Sequence, residues 1–277
     1  MRLPWTLHGS DVRRISDMAG EAVLLAGGGR AILLQLANPG VGHGVAEHSD
    51  FVERPLSRLH GTMTYLYAIV FGTPAEVAQV RRVVGRAHRP VHDGGTSSVR
   101  YDAFDPGLQL WVAATLYDSA VQLFERVHGP LDPAHAEAVY QDYALVGTSL
   151  QMPRELWPAD LAAFRRYWDE AVDGLVVDDV TRRVAHELLH PTTGPWWLRL
   201  VMPLARLVTA GSLPPRLRDD FGLTWTAATQ RRYDGVMRLT ATIVPNLPPR
   251  LRHVLRDAYL RRLRATMAAE ARSTGAG

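Results

Sequence analysis

Three short stretches carry residues whose types and spacing could do chemistry. In Arg58-Leu59-His60-Gly61-Thr62, the arginine and threonine stand four apart, so on a helix they share one face a turn apart. Leu66, Ile69 and Val70 continue a mostly apolar surface that looks inward. A buried guanidinium needs an anion, and a threonine hydroxyl beside it can support that anion. After Gly72-Thr73-Pro74, a second run has Val77, Val80, Val83 and Val84 at helical spacing and ends in Ala87-His88-Arg89-Pro90. His88 therefore sits in a last turn, where a histidine is either a hydrogen-bonded core residue or an imidazole ligand. His92 competes with it from the start of a turn-rich loop, His92 to Ser98, which reads as exposed or as a lid. In the third stretch, His43 and Glu47 share a helical face and His48 follows. The zinc helix pattern H-E-x-x-H is absent, which disfavours a zinc site. Glu47 or His48 could still reach the Arg58 helix as an acid or base.

Composition narrows the chemistry. The 277 residues contain no cysteine, which removes disulfides, thiolate nucleophiles, iron–sulfur ligation and thiolate-held or covalently attached haem. If iron is bound, histidine must hold it. No lysine occurs either, so Schiff-base chemistry and a P-loop are excluded, and the high isoelectric point comes from arginine. A formal net charge of +3 gives only a weak non-specific field and no indication of nucleic acid.

The chain resembles the DUF2236 group, the MpaB-type oxygenases that include the latex-clearing rubber oxygenases. The resemblance rests on GGGRAILLQLANPGVGHGVAEHSDF from Gly27, RLHGT from Arg58, HRPV from His88 and YDAFDPGLQLWVAATLYDS from Tyr101, and extends over most of the chain. It implies a b-type haem in an apolar pocket, with His88 as the proximal iron ligand and Arg58 and Thr62 lining the pocket. His88 fits the family's H-x-x-V and precedes Pro90 on rigid helix, which prefers it over His92. The rubber oxygenases carry a distal lysine immediately before the pocket threonine, and this chain has Gly61 there. That departure implies an open distal side and a small, largely apolar substrate oxidised with dioxygen in place of a polymer. The alternative from another class is a cofactor-free helical protein that holds a lipid or other ligand with Arg58 against its head group.

Fold class follows from punctuation. Helical patterns run from Asp11 to Ala26, closed by Gly27-Gly28-Gly29, and from Arg30 to Ala37, stopped by Asn38-Pro39-Gly40. The triple glycine is a poor phosphate loop, since no strand precedes it. Arg30 is either a surface charge or a buried partner for an anion such as a haem propionate. Asp105-Pro106 opens a long helix to about His128, on which Trp111 and Tyr117 either wall the cofactor or fill the core. Further helices are expected over 134–149, 158–173, 179–189, 196–209, 224–243 and 248–269. No run alternates like a strand, so the expectation is an all-α, single orthogonal multi-helix domain spanning 1–277 around an apolar haem pocket.

The N-terminus lacks the apolar stretch of a secretory signal, and no run of about 18 apolar residues occurs, so the sequence predicts a cytoplasmic protein with no integral membrane segment. The last helix places Leu251, Val254, Leu255, Ala258, Tyr259 and Leu263 on one face with arginines elsewhere. Docking on the domain is the favoured reading, and peripheral contact with an acidic membrane is the other.

Overall fold

A computed structural model describes residues 3–48, 56–95 and 99–274. Fourteen α-helices follow one another, with no strand among the described residues. The first seven are α1 (Ile15–Ala19), α2 (Gly28–Leu36), α3 (Pro39–His48), α4 (Ser57–Phe71), α5 (Pro74–His88), α6 (Pro106–His128) and α7 (Pro133–Thr148). They are followed by α8 (Leu161–Asp173), α9 (Asp179–Leu189), α10 (Trp196–Ser212), α11 (Pro215–Asp220), α12 (Ala227–Ile243), α13 (Pro249–Arg252) and α14 (Val254–Thr274).

Local chemistry sets most of these boundaries. Thr73 caps α5 by accepting from the Glu76 amide, Glu76 reaches back to the Thr73 amide at 2.8 Å, and Pro74 occupies the first turn. Asp105 and Asp132 cap α6 and α7 in the same manner, each with proline behind it. Gly129 ends α6 at φ +83°, a conformation open to glycine at little cost.

Helix α6 is the spine. Leu110, Ala113, Ala114, Tyr117 and Phe124 enter one core with α1, α4, α5, α7 and α8. Trp111 enters a second core with α2, α3, α9 and α11, while Leu123 and Val127 meet Tyr233 and Met237 of α12 in a third. Tyr117 meets Tyr140, Tyr143, Trp157 and Phe164 edge-on with ring centroids 5.1–6.1 Å apart, the arrangement aromatic quadrupoles favour.

Two charge clusters are buried and internally compensated. The Arg30 guanidinium lies 2.6 Å from the Asp118 carboxylate and donates to Ser119 Oγ and to the Ser212 carbonyl, each at 2.8 Å. Glu21, fully buried, accepts from Arg252 at 2.8 Å and lies 3.1 Å from the His253 ring nitrogen. Trp5 adds a carbonyl to Arg252 at 3.1 Å and an indole N–H to the Asn246 carbonyl at 3.0 Å, which ties the two ends of the chain together.

Several boundaries differ from those the sequence predicts. The stretch from Asp11 to Ala26 is not one helix: a 3-10 turn at Gly9–Asp11 precedes the short α1, and a 3-10 turn at Ala22–Gly27 follows it. The triple glycine is not a break after an α-helix: Gly27 closes the 3-10 turn and Gly28 and Gly29 open α2, and a Cβ on Gly29 would land on the Thr209 side chain of α10. Helix α11 is an element with no counterpart in the expected set, and the last helix is split at His253 into α13 and α14. Helix α14 docks on α4, but Leu251 and Val254 of its expected inner face are exposed, and Leu260 joins Leu263 as a buried residue. The stretch from Ser49 to Pro55, and Thr96 to Ser98 of the expected lid, lie outside the described residues.

Candidate functional site

Helices α4 and α5 pack as a hairpin through the short Gly72-Thr73 connection, so the start of α4 lies beside the end of α5. This brings together the two ends that carry Arg58, Gly61 and Thr62 on one side and Gly85 and His88 on the other. The positive charge of Arg58 is felt at His88. Burial first, and then the Arg58 guanidinium, hold the His88 imidazolium below its ordinary pKa. Burial also pulls Arg58 down to about 10, which leaves it cationic at neutral pH.

His88 has a buried Nδ1 with no hydrogen-bond partner among the described residues. Buried ring nitrogens are ordinarily satisfied; those of His8, His128 and His135 are likewise without a hydrogen bond among the described residues, and of the four only His88 stands at the end of this hairpin. Phe104 stands edge-on to the imidazole with centroids 6.3 Å apart. The Thr62 hydroxyl makes no hydrogen bond among the described residues, whereas Thr64, on the same helix, donates to the His60 carbonyl at 2.7 Å. A Cβ built on Gly61 or on Gly85 meets no atom of the described residues within 4 Å. The His60 ring is engaged elsewhere: its Nδ1 lies 2.7 Å from the Tyr259 hydroxyl on α14.

The segment behind α5 folds back through an isolated bridge between His92 and Asp102. Its amides are paired, Asp93 to the Tyr101 carbonyl at 3.0 Å and Ala103 to the Val91 carbonyl at 2.9 Å. This return places Phe104 against His88 and Tyr101 against α3. Tyr101 donates to Glu47 at 2.7 Å, and the His48 ring nitrogen lies 3.1 Å from the same hydroxyl. The Tyr101 hydroxyl is pushed up to about 12, by burial first and then by its bond to the Glu47 carboxylate. His92 is exposed and His88 half-buried, which favours His88 as the residue facing a bound group.

The predicted residues thus divide into three sets. Arg58 and Thr62 lie in the first two turns of α4 and His88 in the last turn of α5, and the Arg58 charge is felt at His88. Glu47 lies with Tyr101 and His48 on the neighbouring α3. Arg30 and Trp111 lie in the interior: Arg30 is held by Asp118, Ser119 and Ser212, and Trp111 donates to the Leu34 carbonyl at 3.2 Å and stacks on Trp168. The contacts described for Arg30 and Trp111 do not involve the hairpin residues. His43, the remaining member of the zinc pattern, lies 2.7 Å from Asp178. Among the described residues no group of three or more histidines and carboxylates could hold a metal ion. Phe104 and Tyr101 are additions delivered by this chain return, and Tyr259 is brought by the docking of α14 on α4; no spacing in the sequence relates them to His88, Glu47 or His60.

Over residues 16–242 the chain matches the family described as ER-bound oxygenase mpaB/B'/rubber oxygenase, catalytic domain. Among curated proteins it is similar to an uncharacterized protein of Mycobacterium bovis and to one of Mycobacterium tuberculosis. Each is 41% identical over 223 residues, covering 78% of this chain and 88% of the relative. No solved structure matches it significantly. The match spans the α4–α5 hairpin and both of its polar ends, and the chain belongs to the mpaB/rubber oxygenase catalytic-domain family.

Proposed function

We propose that the protein is a b-type haem-dependent oxygenase that acts with dioxygen on a small, largely apolar substrate, and that the haem sits at the open end of the α4–α5 hairpin. The observation that carries this reading is His88: a half-buried imidazole with an orphaned nitrogen, kept neutral by burial and by Arg58. Neutral imidazole is the form that ligates iron, and the absence of cysteine leaves histidine as the ligand type. The donor set fits the group. Arg58 stays cationic and can pair with a propionate carboxylate, and Gly61 and Gly85 leave room where a side chain would intrude.

Haem bound there would supply the iron at which dioxygen is activated. The chain's own residues then have distinct tasks. His88 would hold the iron through its ring, and the second ring nitrogen would need an acceptor to orient it. Thr62, whose hydroxyl makes no hydrogen bond among the described residues, would be free to donate to a molecule bound beside it. Phe104 and the apolar surface of α4 exclude water and favour an apolar substrate. Glu47, already accepting from Tyr101, can take a substrate proton only by giving up that bond, so it acts second if it acts at all. Gly61, in place of the lysine carried by rubber oxygenases, keeps the distal side open. This argues against polyisoprene as substrate and for a compact apolar molecule.

Purified chain reconstituted with haem should show a Soret band in one-to-one stoichiometry, and His88→Ala should lose it. A preparation that stays colourless with haem supplied, and binds fatty acid equally well with and without His88, would replace this reading by the ligand-binding one. The ferric spectrum tests the open distal side. A six-coordinate low-spin spectrum with two nitrogen ligands contradicts it, and isoprenoid aldehydes from polyisoprene contradict the substrate class.

A further inference from the structure

Among the described residues, nine of the fifteen large hydrophobic side chains that stand exposed fall in two stretches of chain. Five of the nine occupy the first half of α10: Trp196, Trp197, Leu200, Val201 and Leu204. Trp196 and Leu200 are each 69% exposed, more than any other large hydrophobic residue described. Trp196, Leu200 and Leu204 follow one another at intervals of four and so share a face, with Trp197 and Val201 beside them. Leu198 on the opposite side is buried, and the second half of α10, with Val208, Thr209 and Ala210, is buried too. The helix is therefore anchored at its C-terminal half and overhangs at its N-terminal half with an apolar face turned outward. The second stretch begins on α12, which packs on α10 and shows Leu239 and Ile243 four residues apart on its own outer face.

Charge is distributed as unevenly as hydrophobicity. No carboxylate occurs from Leu188 to Arg218 or from Gly235 to Arg256, although the chain as a whole has 28 acidic residues. Both stretches contain arginines, and Arg199, Arg238 and Arg250 are exposed. Solvent-exposed helix faces of soluble proteins carry mixed charges, and large apolar patches on them mark a binding surface.

We propose that the overhanging face of α10, with its arginine border, seats the protein on an anionic lipid bilayer surface. Tryptophan pairs place an apolar ring and a polar N–H at the headgroup level, and arginines can extend along an apolar surface to reach phosphate. A helix lying in the interface needs one apolar face, an arginine flank and no carboxylate to repel acidic lipid, and α10 has all three. No described helix is long and apolar enough to cross a membrane, so the contact is at the surface. A second copy of the chain fits this face less well, because self-association would bring two arginine borders together. Helix α14, the basic amphipathic candidate of the sequence, is taken up by α4: Tyr259 bonds His60, and Leu260 and Leu263 are buried.

The test is sedimentation of the full chain with sucrose-loaded vesicles, of phosphatidylcholine alone or with phosphatidylglycerol added. The chain should pellet with the anionic vesicles, pellet far less with neutral ones, and lose binding as salt is raised. The double variant Leu200→Asp, Leu204→Asp should lower the partition coefficient at least about tenfold. Both positions are exposed, so circular dichroism and thermal melting should be unchanged. Quenching of tryptophan emission by bromine-labelled lipid in the wild-type chain gives a readout that needs no variant. Absence of pelleting at low salt overturns the proposal, as does pelleting that the double variant leaves intact. A dimer that the double variant splits, with no vesicle binding by the wild type, assigns the face to a second copy and overturns it equally.

Discussion

Arg30 and His88 mark two regions that treat a polar side chain in opposite ways. Around Arg30, three helices close on one guanidinium: α6 supplies Asp118 and Ser119, α10 supplies the Ser212 carbonyl, and Trp168 of α8 lies 5.6 Å beneath it. At the α4–α5 hairpin, among the described residues, a histidine nitrogen is buried with no hydrogen-bond partner, a threonine hydroxyl makes no hydrogen bond, and Cβ atoms on two glycines would meet nothing within 4 Å. The first arrangement meets its buried charge from within the fold, through the Asp118 carboxylate 2.6 Å from the guanidinium. The second is incomplete, and incompleteness in a folded protein is where ligands enter.

The comparison can be broken by experiment. Arg30→Met should be the most damaging change, because it leaves the Asp118 carboxylate without its cation. Burial already raises that carboxyl, and removing one partner of a buried pair costs about 3–5 kcal/mol. Thermal unfolding followed by circular dichroism reads this. Gly29→Val should come next, losing about 1–3 kcal/mol through overlap with Thr209. His88→Ala should cost less than about 1 kcal/mol, since it removes no partner, while abolishing haem absorption. Equal destabilisation by Arg30→Met and His88→Ala would erase the distinction between a structural and a ligand-bearing region.

Acid titration sharpens the comparison with a smaller effect. His88 and His128 both have folded-state pKa values held below the ordinary histidine value, chiefly by burial. Below about pH 6.5 the unfolded chain binds protons that the folded chain resists, so stability falls with decreasing pH until the folded-state values are reached. Above pH 6.5 these two groups contribute no slope. His88→Gln should reduce the acid-side slope measured by urea unfolding at a series of pH values. An unchanged slope would mean that His88 titrates alike in the folded and unfolded chains, and that its burial does not hold the imidazolium down.

Legibility followed the range of the interactions. The starts of α5, α6 and α7 were readable because Thr73-Pro74, Asp105-Pro106 and Asp132-Pro133 cap their own helices within three residues. Arg58, Thr62 and His88 were singled out by helical spacing, by position in a last turn and by family resemblance, and the hairpin brings their helix ends together. What failed was long-range. Gly29 packs against Thr209, far along the chain, and the triple glycine, read locally as a break after a helix, is where a 3-10 turn passes into α2. The fully compensated setting of Arg30 depends on Asp118 and Ser212, which no pattern near Arg30 announces. The exposed face of α10 was likewise hidden, because the sequence marked only a helix over 196–209, and which of its apolar residues stay exposed depends on elements distant in the chain.

The Glu21–Arg252 pair has a consequence in time. Its partners are 231 positions apart, and Trp5 joins the same cluster from the other end of the chain. A ribosome adding roughly 5–20 residues per second needs on the order of ten to fifty seconds to synthesise that interval. Throughout it, Glu21 lacks the guanidinium that pairs with it in the folded chain, so the early helices stay without their final partner until the last ones emerge. A message truncated between α12 and α13 would yield a product that retains Arg58, Thr62 and His88 but loses both Arg252 and the Tyr259 hydroxyl beside His60, and such a product belongs to the quality-control machinery.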